Sequence, residues 1–210
     1  MQDYLTAMIQ RLPFEAAFSL VGITSISEED LEQLDDQEQR ALDMCKSTKR
    51  RQELVSSRLA LKQLYRERGA GQSFSIRKDE LGQPFGIGRE QEYYVSIAHT
   101  DTRVFCGISG EEPIGVDIEP IGRAVPQKLS DRIMHPGEDG LRDVLPMIRL
   151  WTIKEAYIKL RGEGLRLNMN RVHIEQETAQ TFIEKNHYKR AKICSFQHQE
   201  HWLAIAFYSK

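Results

Sequence analysis

Two short segments hold the side chains best suited to chemistry: Gly115-Val116-Asp117-Ile118-Glu119, and Trp151-Thr152-Ile153-Lys154-Glu155-Ala156-Tyr157-Ile158-Lys159. If residues 114–119 form a strand, alternation puts Asp117 and Glu119 on one face and Val116 and Ile118 on the other. If residues 151–161 form a helix, Glu155 and Lys159 lie one turn apart on a shared face. Brought together, three carboxylates and a lysine suit a Mg²⁺ ion and a polyphosphate. Mg²⁺ takes oxygen ligands and is often held by one or two carboxylates, with phosphates and water completing its shell. Each group taken singly has a plainer reading. An acidic pair closing a strand before Pro120 can simply be solvated. A Glu four residues before a Lys is the spacing of a surface ion pair worth roughly 0.2–0.5 kcal/mol.

Taken together, and in this order, the segments resemble the paired signatures of the 4′-phosphopantetheinyl transferases, more closely the larger, surfactin-type branch. That family's G-[VI]-D-[VIL]-E and W-[ST]-x-K-E-[AS]-[FY]-x-K are met at every position, and Gly162-Glu163-Gly164-Leu165 is similar to the G-x-G-L that follows. The resemblance is good from about Thr48 to Leu165 and diffuse outside it. It implies transfer of 4′-phosphopantetheine from coenzyme A to a serine of an acyl or peptidyl carrier protein, releasing adenosine 3′,5′-bisphosphate. It also implies Mg²⁺ held by Asp117, Glu119 and Glu155, with Lys159 on the phosphates. Glu155 is then the candidate to accept the serine proton. Lys154 either adds to the positive field or lies on the solvent side.

Coenzyme A contacts are implied further upstream. Val95-Ser96-Ile97-Ala98-His99-Thr100 resembles the family's S-I-S-H-S, whose histidine contacts a coenzyme A phosphate, so His99 takes that role. Ala98 lacks the usual serine hydroxyl. Leu81-Gly82-Gln83-Pro84 resembles a G-K-P loop near the adenine and the 3′-phosphate, but Gln83 replaces the lysine and carries no charge. The 3′-phosphate must then lean on other cations. Lys49-Arg50-Arg51 is the obvious supply, with Arg51 first and Arg58 second. Without the resemblance, His99 reads as a structural histidine and the basic run as a solvated helix face partnered by Glu53. For an acidic carrier surface, Arg123, Arg132, Arg149 and Arg166 are available.

The elements that must position these groups follow from periodicity and breakers. A strand is expected at residues 15–22, and a helix from the Ser27 cap towards Cys45, with the acidic run 35–38 on a solvated face. A long helix spans about 48–68, closed by Gly69-Ala70-Gly71. Strands follow at 73–77, 93–98, 104–109 and 114–119, with 81–86 a turn or loop. Helices at 126–133 and 148–161 precede strands at 172–176, 181–185, 191–196 and 202–208. His198 and His201 then belong to a turn rather than a metal pair. A helix followed by strands thus occurs twice, without a linker or a visible internal sequence repeat. The resemblance makes this an α+β fold of two similar halves, 1–113 on the coenzyme A side and 114–210 with the metal motifs. Each half is a long helix on a small, mostly antiparallel sheet. A pseudo-twofold axis relates them, with the active site between them.

Bulk composition bounds the partners. The 210 residues carry 29 basic and 31 acidic side chains, a net charge of −2, which argues against general nucleic-acid binding. No apolar run reaches the roughly 20 residues needed to span a bilayer. Residues 1–12 lack the basic start and apolar core of a signal peptide. Cys45, Cys106 and Cys194 are odd in number and far apart, which reads as buried reduced thiols in a cytoplasmic protein. A monomer is expected by resemblance. The alternative is a non-catalytic relative that binds carrier protein or coenzyme A.

Overall fold

The computed structural model describes residues 12–209 apart from 70, 72 and 186–188. The expectation about a signal peptide falls almost wholly on residues outside these. The chain divides into two compact units, one built on Phe14–Glu111 and the other on Glu112–Lys210.

The first unit runs β1 (Ala16–Gly22), α1 (Glu28–Glu32), α2 (Asp36–Asp43), α3 (Thr48–Glu67), β2 (Ser75–Lys78), β3 (Pro84–Ile87), β4 (Glu92–His99) and β5 (Arg103–Ser109). Its antiparallel sheet has the order β1-β5-β4-β3-β2. Helix α3 lies on that sheet, burying Leu61, Leu64 and Tyr65 against Val104, Cys106 and Ile108. The single helix expected from Ser27 is two. Asp35 caps a fresh start by accepting from the amides of Gln37 and Glu38, while Glu38 reaches back to the Asp35 amide. The expected loop at 81–86 contains a strand, with Pro84 at its first position, where a missing N–H does least harm.

The second unit runs β6 (Ile114–Pro120), α4 (Gln127–Ile133), a 3₁₀ turn (Pro136–Glu138), α5 (Asp139–Arg142), α6 (Met147–Arg161), β7 (Ile174–Gln176), β8 (Thr181–Glu184), β9 (Ala191–His198) and β10 (His201–Tyr208). Its sheet order is β6-β10-β9-β8-β7. Helix α6 buries Ile153, Ala156, Tyr157 and Leu160 against Phe182, Ile193, Ala204 and Ala206. Gly162 ends it with φ 67°, a left-handed cap that suits glycine. His198 and His201 face each other across the two-residue turn Gln199-Glu200, as the expected turn requires.

The units repeat one plan. Adding 98 to each residue number converts Phe18↔Gly107 into Val116↔Ile205, and Val95↔Ile108 into Ile193↔Ala206. The same step converts Ile76↔Gly86 into Ile174↔Glu184, and Phe85↔Tyr94 into Ile183↔Lys192. All four strand pairings of one sheet therefore recur in the other with unchanged register.

A buried ion pair recurs as well. In the first unit Lys62 Nζ lies 2.7 Å from Glu38 Oε2 and donates to the Gln33 carbonyl, while Glu38 Oε1 accepts from the Ile76 amide. In the second, Lys154 Nζ lies 2.6 Å from Glu138 Oε2 and donates to the carbonyls of Ile133, Val172 and Met169. Glu138 Oε1 accepts from the Ile174 amide, and Oε2 from the His135 amide. Glu38 is 2% exposed and Asp35 half-buried, so of the acidic run at 35–38 only Asp36 and Gln37 form the solvated face expected. All three cysteines are thiols; Cys106 and Cys194 are buried, Cys45 only half so.

Removing one partner of such a pair strands a charge away from water and costs about 3–5 kcal/mol. Lys154→Met and Lys62→Met should each lower unfolding stability by that order in urea titrations. A wild-type midpoint for Lys154→Met would return Lys154 to a role outside the core.

Candidate functional site

In the second unit the geometry starts at Gly115. A Cβ there would fall 2.0 Å from the Ala156 carbonyl oxygen and 2.5 Å from the Leu160 amide, so only glycine lets β6 lie this close to α6. Asp117 and Glu119 share the face of Gly115 and point towards the helix. Lys159, on that helix, places its Nζ 2.7 Å from Asp117 Oδ1. Arg123 pairs with Glu119, and its guanidinium lies over the Trp151 ring, 5.5 Å from the centroid. Asp117 Oδ2 is buried and has no hydrogen-bond partner.

Burial pushes the Asp117 carboxyl up to about 7 against the pull of Lys159, and the negative charges of Glu155 and Glu119 push the same way. Burial likewise raises Glu155, which Lys159 and Arg123 lower and Glu119 raises further. The three carboxylates therefore sense one another. Among the described residues, however, no three His, Cys, Asp or Glu side chains are gathered closely enough to hold a metal ion. Two of the carboxylates are instead engaged by Lys159 and Arg123. The donor set still fits a hard divalent cation: it is all oxygen, and one buried oxygen lacks a partner.

Neither placement expected of Lys154 is found. Its ammonium is 0% exposed and surrounded by Glu138 and three carbonyls, so it has no donor left for a phosphate. Arg149 is likewise committed, stacked on Trp202 and Phe182 and donating to the carbonyls of Ala179 and Ser195. Trp151 is half-buried, whereas Ala156 and Ile158 are core residues, as packing roles require.

The first unit holds a cavity of about 460 Å³ between α2, α3 and the β2–β3 end of its sheet. Arg50, Arg58, Arg77, Lys78 and His99 line it, with Glu53, Gly82 and Pro84. Arg50 Nη1 is 3.1 Å from His99 Nε2 and 2.9 Å from Glu53 Oε2, and His99 Nδ1 lies 3.5 Å from Glu53. Arg58 is buried, and burial pushes its pKa down. Its Nε has no hydrogen-bond partner, being 4.0 Å from Glu38. A wall with four cations and one orphaned guanidinium nitrogen suits a phosphate-bearing ligand.

Of the residues expected here, His99, Pro84 and Arg58 line the cavity. Arg51 turns away to the Leu42 carbonyl at the end of α2. Gln83 is not on the wall; its amide donates to Asp79. Sequence reasoning gave too little weight to Arg50 and missed Arg77 and Lys78. The last two sit opposite Phe85 and Pro84 in the β2–β3 pairing, a placement legible only once residues 84–87 are recognised as a strand.

Comparison with known proteins bears on the second unit most directly. Residues 113–206 match the family model described as the 4′-phosphopantetheinyl transferase superfamily. The chain is 34% identical over 121 residues to the 4′-phosphopantetheinyl transferase gsp of Aneurinibacillus migulanus, covering 54% of this chain and 49% of that protein. It is 31% identical over 111 residues to a 4′-phosphopantetheinyl transferase of Bacillus subtilis, covering 48% and 46%. The chain thus spans about half the length of these relatives.

Because the folded environment disfavours ionised Asp117, metal-free protein is strained by it at neutral pH and above. The cost is absent below about pH 4, where the group is protonated in both states, and complete above about 7. Asp117→Asn should therefore stabilise the metal-free protein at pH 8, by on the order of 1–2 kcal/mol, and the gain should vanish towards pH 4. Denaturant melts across that range check it; a loss of stability at pH 8 would mean the Lys159 pair outweighs burial.

Proposed function

Because residues 113–206 match the model of the 4′-phosphopantetheinyl transferase superfamily, we propose that this chain transfers 4′-phosphopantetheine from coenzyme A to a serine of an acyl or peptidyl carrier protein. The reading is supported above all by Asp117, whose buried, unpartnered Oδ2 and Lys159-bound Oδ1 combine a metal-ligand oxygen with a phosphate-binding cation.

In this reading Asp117, Glu119 and Glu155 hold Mg²⁺, which when bound neutralises charge building on the pyrophosphate oxygens. The serine oxygen forms its bond to the β-phosphorus as the bond to the bridging oxygen breaks, and adenosine 3′,5′-bisphosphate leaves with the electron pair. Lys159 offers a point charge and donors to the phosphates. Glu155 is the proposed acceptor of the serine proton, directly or through a water. Burial raises its pKa above the ordinary carboxylate value, the direction that makes a carboxylate a stronger base. Lys154 takes no part in this chemistry; it keeps the helix that carries Glu155 and Lys159 anchored.

In the first unit, His99, Arg58, Arg50 and the Arg77–Lys78 strand end are the proposed groups for coenzyme A phosphate, with Pro84 shaping the wall. The charge missing at Gln83 is supplied there by Arg77 and Lys78. A monomeric, cytoplasmic protein is proposed as well. Among the described residues no helix is long and apolar enough to cross a membrane.

Intact-protein mass spectrometry of apo carrier proteins, incubated with this protein, coenzyme A and Mg²⁺, tests the reading. The expected result is a gain of one phosphopantetheine that disappears with EDTA and with Asp117→Ala or Glu155→Ala, both still folded. Coenzyme A binding without any mass gain across a broad carrier panel would favour the non-catalytic alternative. His99→Ala and Arg58→Ala should each weaken coenzyme A binding about tenfold or more, as loss of a charge-assisted contact does, while leaving carrier binding unchanged. Unchanged coenzyme A affinity in both would remove the first-unit cavity from the reading.

A further inference from the structure

We infer that Arg123 is a built-in competitor for the divalent cation, holding Glu119 in the metal-free protein and releasing it, and the face of Trp151, when the ion binds. The inference rests on the metal reading above.

Arg123 sits in the turn that follows β6, and that turn is pinned by its backbone: the Arg123 amide donates to Pro120, and the Ile121 amide to Glu200. Only the side chain is then left to move. The Glu119 side chain is 12% exposed and the Arg123 side chain 47%, so the acceptor is fixed in the protein while the donor stands at the solvent edge. The Lys159 side chain, the other cation of the site, is 28% exposed and rises from the rigid α6.

Charge points the same way. Asp117, Glu119 and Glu155 carry three negative charges when ionised, and Arg123 and Lys159 balance two. A divalent ion arriving with both side-chain cations in place would leave a positive surplus in a site largely shielded from water. With Arg123 gone, the ion and Lys159 match the three carboxylates. Glu119 is already engaged by Arg123, and among the described residues no three such side chains are gathered closely enough to hold an ion. Arg123 also covers Trp151, so its departure changes the surroundings of an indole.

Isothermal titration of Mg²⁺ into the full chain without coenzyme A tests this in wild type, Arg123→Ala and Arg123→Gln; the second keeps a stem over Trp151 in case the first disturbs folding. A half-exposed ion pair is worth a factor of several in a binding constant, so both variants should bind Mg²⁺ about three- to tenfold more tightly than wild type. Added salt should narrow that gap. Arg123→Lys should behave like wild type. Mg²⁺ should also change tryptophan emission in wild type, and the change should be lost in Arg123→Ala and in Trp151→Phe. Equal or weaker Mg²⁺ binding by folded Arg123→Ala and Arg123→Gln would overturn the inference while leaving the metal reading intact. Mg²⁺ binding by none of the proteins, or equal binding by Asp117→Ala, would overturn the metal reading and the inference with it.

Discussion

A buried ammonium held by one carboxylate and by backbone carbonyl oxygen, one in the first unit and three in the second, is the contact on which each unit is assembled. Lys154 joins α6 to the end of α4, to the 3₁₀ turn that supplies Glu138 and to the segment entering β7. Glu138 in turn takes the first amide of β7. Lys62 and Glu38 tie α3 to the segment entering α2 and to β2 in the same way. Such a pair adds little net stability over an apolar contact, but once built it cannot lose a member without leaving a charge stranded. It therefore fixes the position of the helix along the sheet. In the second unit that position places Glu155 and Lys159 over β6.

Matching the two units at their buried lysines separates scaffold from chemistry. The stretch Leu61-Lys62-Gln63-Leu64-Tyr65 aligns with Ile153-Lys154-Glu155-Ala156-Tyr157, and in both the Lys, the preceding aliphatic residue and the Tyr are buried. The positions that differ are the ones proposed to act: Gln63 stands for Glu155 and Glu67 for Lys159. On the strand, Ser19 and Val21 stand for Asp117 and Glu119. One plan thus carries an acidic, oxygen-rich face in one unit. In the other, the cations and His99 line a cavity on the α2–α3 side.

The acidic face is costly to the folded chain in its metal-free form. Asp117 is driven towards neutrality by burial even with Lys159 in contact, and its second oxygen has no donor. Native proteins keep such groups where the unmet valence is used. Arg123 and Lys159 limit the cost by lending positive charge, at the expense of drawing the carboxylates towards two separate partners.

Much of the fold was legible in the sequence. The long helices at Thr48 and Met147 and most strands follow from periodicity and breakers, because their apolar stripes match one face of a helix or sheet. The duplication was legible only as a helix followed by strands occurring twice: register and topology repeat, while only Lys, Tyr and an apolar pattern survive in the residues. Lys154 shows the same limit. Its place in the Trp151–Lys159 string suggested phosphate chemistry, yet its role depends on Glu138 and on carbonyls from two other segments, which no local pattern encodes. Arg51 and Arg50 are adjacent in the chain, and only the packing of α3 against α2 decided which one faces the cavity. The sequence by itself determined which residue types could bind phosphate and metal, since that is chemistry intrinsic to side chains. The tertiary structure decided which of them are spent on holding the core, because burial and partners are properties of the folded chain alone.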